Sequence, residues 1–279
     1  MFIHDMKQLE EQFNSWKDHL PNTWNRYNEV NPNDNVIAKV MREEDGKPLA
    51  DYFFGANLVV ETGEHYYVQK MTDSTITNNF ANGTMVLNNP TSADTIASDD
   101  DFSDVNSPLA GSYSSLASVT IVTGGSGYVQ DESVTITGNT SSAANAVATA
   151  NVTAGALTSV TITDGGSGYQ SGETVTITST GGSGANDATI TLPLLTAIEL
   201  DNQDAENAGR GQYIITWKQS YLASSFEATT NAVTGGAIVA DNAPSGTDPL
   251  LNHWNFNNTF TKQLTEPLDV WVNHDLAGV

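Results

Sequence analysis

Cysteine is absent from all 279 residues, which excludes disulfide scaffolding, thiolate metal sites and a cysteine nucleophile. Positive charge is also scarce. Ten Lys and Arg stand against 33 Asp and Glu, a formal net charge of −23, and neither Lys nor Arg occurs between residues 72 and 209. Such a chain is unsuited to nucleic acid, because neutralising phosphates requires Lys and Arg. An anionic membrane surface repels it for the same reason. No apolar run reaches the roughly 20 residues of a membrane-spanning helix. The opening MFIHDMKQLEEQF lacks the basic start and apolar stretch of a signal peptide.

Catalytic signatures are missing as well. The histidines His4, His19, His65, His253 and His274 are scattered, with no HExxH pair. There is no GxSxG elbow, no phosphate-binding loop and no GxGxxG after a strand. Asp99, Asp100, Asp101 and Asp104 could offer oxygens to Ca²⁺, but their spacing misses the EF-hand pattern and the turn glycine is absent. The expectation is therefore a non-enzymatic chain with no catalytic residue, no cofactor and no metal, whose acidic stretch forms a solvated coat.

What is present is a repeat. Residues 118–137, SVTIVTGGSGYVQDESVTIT, return as 159–178, SVTITDGGSGYQSGETVTIT, identical at 14 of 20 positions and 41 residues apart. Repetition at a fixed period fixes the architecture of the region containing it. Each unit is an alternating strand, a Gly-rich turn closed by Tyr128 or Tyr169, and a second alternating strand. Leu116, Leu157 and Ile198 keep the same spacing, and Ala146, Ala148, Ala150 and Val152 offer a strand of small residues. Short strands with frequent turns predict an inserted Ig-like β-sandwich over 112–200. The two tyrosines either pack over their strand ends or stack on sugar rings as glycan contacts.

The flanks differ in character. Ile3, Met6, Leu9, Phe13, Trp16 and Leu20 form one helical stripe that stops at Pro21, predicting an amphipathic N-terminal helix over 1–21. Met6, Leu9, Phe13 and Trp16 are candidates for docking on a neighbouring subunit. Residues 22–111 and 201–279 read as the two halves of a β-rich attachment domain. A hairpin is expected at Thr62-Gly63-Glu64, and strands at Thr84–Leu87, Gln212–Trp217 and Leu268–Val272. The polar, acidic segment 91–115 reads as a linker or exposed loop.

The GGSGY units, covering roughly 112–200, resemble repeats of tailed-bacteriophage virion proteins, particularly those of cyanophages. The resemblance implies a mainly β structural protein located in the virion, as a capsid decoration or a neck, tail or baseplate component. The implied partners are other virion proteins, present in many copies on a symmetric particle. The alternative is a carbohydrate-binding adhesin or receptor-binding appendage of the virion, meeting a host-surface glycan.

Overall fold

The computed structural model describes residues 24–28, 34–72, 75–76, 80, 83–90, 93–139, 144–170, 172–192, 195–200, 214–226, 228–241 and 244–275. The N-terminal stripe with Met6, Leu9, Phe13 and Trp16 lies outside them. The protein is mainly β, with fifteen strands in two sheets among the described residues. In chain order the strands are β1 (Trp24–Tyr27), β2 (Val36–Glu44), β3 (Lys47–Val59), β4 (Thr84–Asn88), β5 (Ser118–Thr120), β6 (Ser133–Gly138), β7 (Ala146–Thr153) and β8 (Ala156–Asp164). They continue as β9 (Thr174–Thr178), β10 (Ala185–Thr191), β11 (Leu195–Leu200), β12 (Ile214–Tyr221), β13 (Ala228–Val239), β14 (Leu250–Lys262) and β15 (Leu268–Asp275).

The larger sheet runs β11-β12-β15-β2-β3-β14-β13-β4 and is antiparallel, except that β1 adds parallel to β3. Its inner face carries the alternating apolar residues of each strand, among them Val36, Ala38, Val40, Phe53, Trp217, Trp254, Phe256, Val270 and Val272. The sheet curls until β4 meets β12, and a side chain completes the seam. Met85 N–H donates to Gln219 Oε1 at 2.8 Å, while Gln219 Nε2 donates to the carbonyls of Met85 and Ser112, both at 3.2 Å. One side-chain amide thus serves as a strand would for the exposed edge of β4.

Where a hairpin was expected at Thr62–Glu64, the chain forms helix α1 (Glu61–Met71). Gly63, Tyr66 and Tyr67 share its buried side, the i, i+3, i+4 set of one helical face. A Cβ on Gly63 would lie 2.0 Å from the Leu251 carbonyl oxygen, so glycine here permits close docking on β14. Glu61 and Glu64 in the first turn and Lys70 in the last suit the helix dipole.

The smaller sheet runs β5-β10-β9-β6-β7-β8 over Ser118–Thr191, and Leu195–Leu200 belongs to the larger sheet. It is one continuous sheet that rolls on itself, in place of the two stacked layers of an Ig-like sandwich. The repeat explains its strand order. Each unit supplies three strands, β5-β6-β7 and β8-β9-β10, and each first strand pairs with the third strand of the other unit. The second strands β6 and β9 meet at the centre, with Ile136 opposite Ile177, its own equivalent 41 residues later. A pseudo-twofold axis passes through that pair. The two ends of the sheet then approach through matching bonds, Leu157 N–H to the Gly124 carbonyl at 2.8 Å and Leu116 N–H to the Gly165 carbonyl at 2.9 Å. Small side chains at Ala146, Ala148 and Ala150 let the sheet roll tightly over Val134, Ile136, Val175 and Ile177.

Candidate interaction surface

Three places concentrate polar chemistry or exposed apolar surface: a buried histidine, His274, in the larger domain, the segment that precedes the repeat, and the two Gly-rich loops.

His274, on β15, is buried in the interior of the larger sheet. Asn252 Oδ1 accepts from Ile238 N–H at 3.2 Å, so its Nδ2 donates to His274 Nε2 at 3.1 Å and Nδ1 carries the ring proton. That proton points to the Tyr67 hydroxyl oxygen, which also accepts from Trp217 Nε1 at 2.8 Å. Burial lowers the His274 pKa to about 3 from 6.5 and raises that of the Tyr67 phenol. The unfolded chain therefore binds the His274 proton near pH 6.5 and the folded chain does not. Stability from this group is complete above that pH and is lost as pH falls toward 3. The expected contribution to the slope between pH 6 and 4 is about 1.4 kcal/mol per pH unit. Urea unfolding of the wild type and His274→Gln across that range checks it. An unchanged slope in the variant would show that His274 is not responsible.

The segment expected to be an exposed acidic linker is instead packed against the outer side of β13 and β14. Asp94 and Asp100 are buried, and Phe102 and Val105 join Val86, Ala237, Val239 and Leu250 in a second cluster. Asn255 holds the strap by bonding Asp94 as a backbone would: its Oδ1 accepts from Asp94 N–H at 3.1 Å and its Nδ2 donates to the Asp94 carbonyl at 2.9 Å. His253 sits beneath, 0% exposed. Its Nδ1 lies 2.7 Å from Asp100 Oδ2 and its Nε2 lies 3.2 Å from Asp94 Oδ2. Asp94 further accepts from Asn88 Nδ2 at 2.6 Å, Asn106 N–H at 3.1 Å and Asn106 Nδ2 at 2.8 Å.

A histidine beside carboxylates can move protons, but here both ring nitrogens face carboxylate oxygens and water has no access. The arrangement ties the strap to β14. Asp101 and Asp104 close a capping box on the short 3₁₀ turn Phe102–Asp104. Among the described residues, no group of three or more His, Asp or Glu is arranged to hold a metal ion.

Tyr128 and Tyr169 are 3% and 1% exposed. The Tyr169 hydroxyl donates to the Ile136 carbonyl at 2.7 Å and accepts from Ala146 N–H at 2.8 Å. The Tyr128 hydroxyl bonds the Ile177 carbonyl, the symmetric counterpart. Each ring belongs to the core shared with the other repeat, so neither face is open for a sugar, and the glycan-contact expectation fails at both residues. Their loops depend on glycines in the left-handed region. Gly125 and Gly166 have φ of +61° and +59°, and a Cβ there would lie 2.3 Å and 2.2 Å from the Ser183 and Ala144 carbonyl oxygens.

The two loops have different surroundings. The second is seated on the larger domain: Gly165 N–H donates to the Ser224 carbonyl at 2.6 Å, Gly168 N–H to Ser114 Oγ at 2.8 Å and Tyr169 N–H to the Ser114 carbonyl at 3.1 Å. Ser114 belongs to the short helix α2 (Gly111–Ser114), which packs beside β4. The first loop precedes β6 as the second precedes β9. Because β6 and β9 are antiparallel, the first loop lies at the opposite end of the smaller sheet. It exposes Val122 and Val129, at 62% and 63%. The equivalent residues of the seated copy are Thr163 and Gln170.

No family model, curated protein or solved structure matches this chain.

Proposed function

We propose that the chain is a non-enzymatic structural protein of a bacteriophage virion, in which the larger domain attaches to the particle and the repeat module projects from it. The resemblance of the GGSGY units to those of virion proteins motivates the reading. The observation that carries it is the way the module is hung. The chain enters and leaves it side by side: Ala117 N–H donates to the Thr191 carbonyl at 2.8 Å, and the Ser118 and Thr191 hydroxyls are 2.6 Å apart. The module has its own core of Leu116, Tyr128, Ile136, Tyr169, Ile177 and their neighbours, separate from that of the larger domain. A unit inserted at neighbouring points can be added to a particle protein without disturbing its attachment.

Charge supports the same role. Several cations of the larger domain are held by neighbouring groups: Arg26 by Asp51 at 2.6 Å, Arg42 by Glu266 at 3.0 Å and Lys218 by Asp269 at 3.4 Å. Lys262 is buried, with Nζ donating to the Ala223 and Phe226 carbonyls at 2.8 Å. Among the described residues, Glu43, Asp45, Glu64, Asp99, Asp104 and Asp131 are exposed, and such acidic surface favours solubility and keeps the module from other acidic surfaces.

Replacing residues 118–191 by a short Gly/Ser linker in the phage that encodes the chain tests the proposal. Normal particle yield, with the shortened chain still mounted and either adsorption or capsid robustness reduced, is expected. Particles that lack the chain even in the wild type would overturn the virion assignment, and failed assembly of the variant would overturn the projecting role.

A further inference from the structure

The module carries two copies of one loop, and the seated copy shows what such a loop binds. Gly165 and Gly168 give their N–H groups to a carbonyl and a hydroxyl of the larger domain. At the free end the matching donors are Gly124 and Gly127. The residue equivalent to Ser114 is Gly155, whose carbonyl accepts from Tyr128 N–H at 3.1 Å but which has no hydroxyl for Gly127. Among the described residues of the module, none takes the place of Ser224. The free end therefore keeps the backbone geometry of a protein-docking loop and lacks the acceptors that complete it. It also gains exposed aliphatic surface where the seated copy has Thr163 and Gln170.

We propose that the free Val122–Asp131 tip is a docking site for a protein surface that sets Lys or Arg beside an apolar side chain. The apolar group would cover Val122 and Val129, and main-chain or hydroxyl oxygens of the partner would accept from Gly124 and Gly127. The basic requirement comes from charge. Asp131 and Glu132 flank the tip, and no Lys or Arg exists between residues 72 and 209 to answer them. A second copy of the module would set carboxylate against carboxylate, which disfavours self-association through this end. A glycan is disfavoured because the one aromatic ring of the loop, Tyr128, is buried beneath it.

The test uses the purified full chain, so its result is independent of the virion assignment. A displayed random dodecapeptide library is selected on the wild type and counter-selected on the double variant Val122→Thr/Val129→Gln. That variant copies the residues of the seated loop, a sequence this fold already accommodates. Enriched peptides rich in Lys or Arg and in aliphatic or aromatic residues are expected. Their affinity should fall by about tenfold or more in the double variant, and further as salt screens the charges. Thr163→Val/Gln170→Val, at the seated end, should leave binding unchanged. If no enriched peptide depends on Val122 and Val129, or if the dependent peptides carry no basic residue, the proposal is wrong.

Discussion

His253→Ala is expected to destabilise the larger domain by about 2–6 kcal/mol, since two buried carboxyl groups each lose a partner at about 1–3 kcal/mol apiece. The physical reason is the pair of carboxylates left behind. Asp94 and Asp100 both face the ring from the strap above β14. Without His253, Asp100 would keep only the Ala97 N–H at 3.0 Å as a bond to its Oδ2. Water must then enter, and the strap must lift for it to do so. Urea unfolding followed by tryptophan fluorescence measures the loss, because Trp254 adjoins His253 on β14 and is fully buried. Hydrogen exchange at the amides of 93–106 separates strap release from global unfolding. Protection in the variant equal to the wild type would show that Asn255 and Phe102 hold the strap unaided. His253→Ala/Asp100→Asn should recover part of the loss, because one of the stranded carboxyl groups is replaced.

This buried network was poorly legible in the sequence. Asp94 and Asp100 sit in a run, SADTIASDDDFSD, whose composition reads as solvated loop. What recruits them lies about 150 residues away, on a strand. A signal was nonetheless there. LLNHWNFNNTF places Asn252, His253 and Asn255 inside a long strand among large apolar residues, and polar groups so placed need partners from elsewhere. Helix α1 is hidden in the sequence for another reason. NLVVETGEHYYVQKM contains a Gly and four β-branched residues that favour a turn and strands, while the contact that selects the helix is the approach of Gly63 to Leu251. Tertiary packing outweighed local preference.

The strands were more legible. Alternation located β4 and β15, along with β6 and β9, and the small-residue run located β7, because half-buried strands write their period of two directly into the sequence. The pairing of those strands could not be read the same way. Leu116, Leu157 and Ile198 share the 41-residue spacing, yet only the first two occupy equivalent places. Leu116 and Leu157 close the two ends of the small sheet, whereas Leu195–Leu200 has left it for an edge of the larger one. Which unit a strand completes depends on how the sheet closes, and period alone is silent on that. The tyrosines were ambiguous for a related reason: their partners, Ile177 and Ile136, belong to the other repeat.

That reciprocity leads to the second large effect. Ile136→Ala and Ile177→Ala should each cost about 2–5 kcal/mol, as for other large-to-small substitutions in a tight core. The two losses should agree within about 1 kcal/mol, because the pair sits on the pseudo-twofold axis and each residue sees the other's surroundings. Both side chains are 0% exposed, and both residues give their carbonyls to the tyrosine of the opposite unit. The two residues also face each other directly, so the double variant should depart from the sum of the singles. The unfolding transition of the larger domain should remain, since among the described residues its core cluster is separate from this one. Calorimetry of the wild type, both single variants and the double variant reads all of this. Clearly unequal single losses would refute the symmetric packing. A single transition that carries the larger domain down with the module would refute its energetic independence, and the projecting arrangement would lose its physical basis.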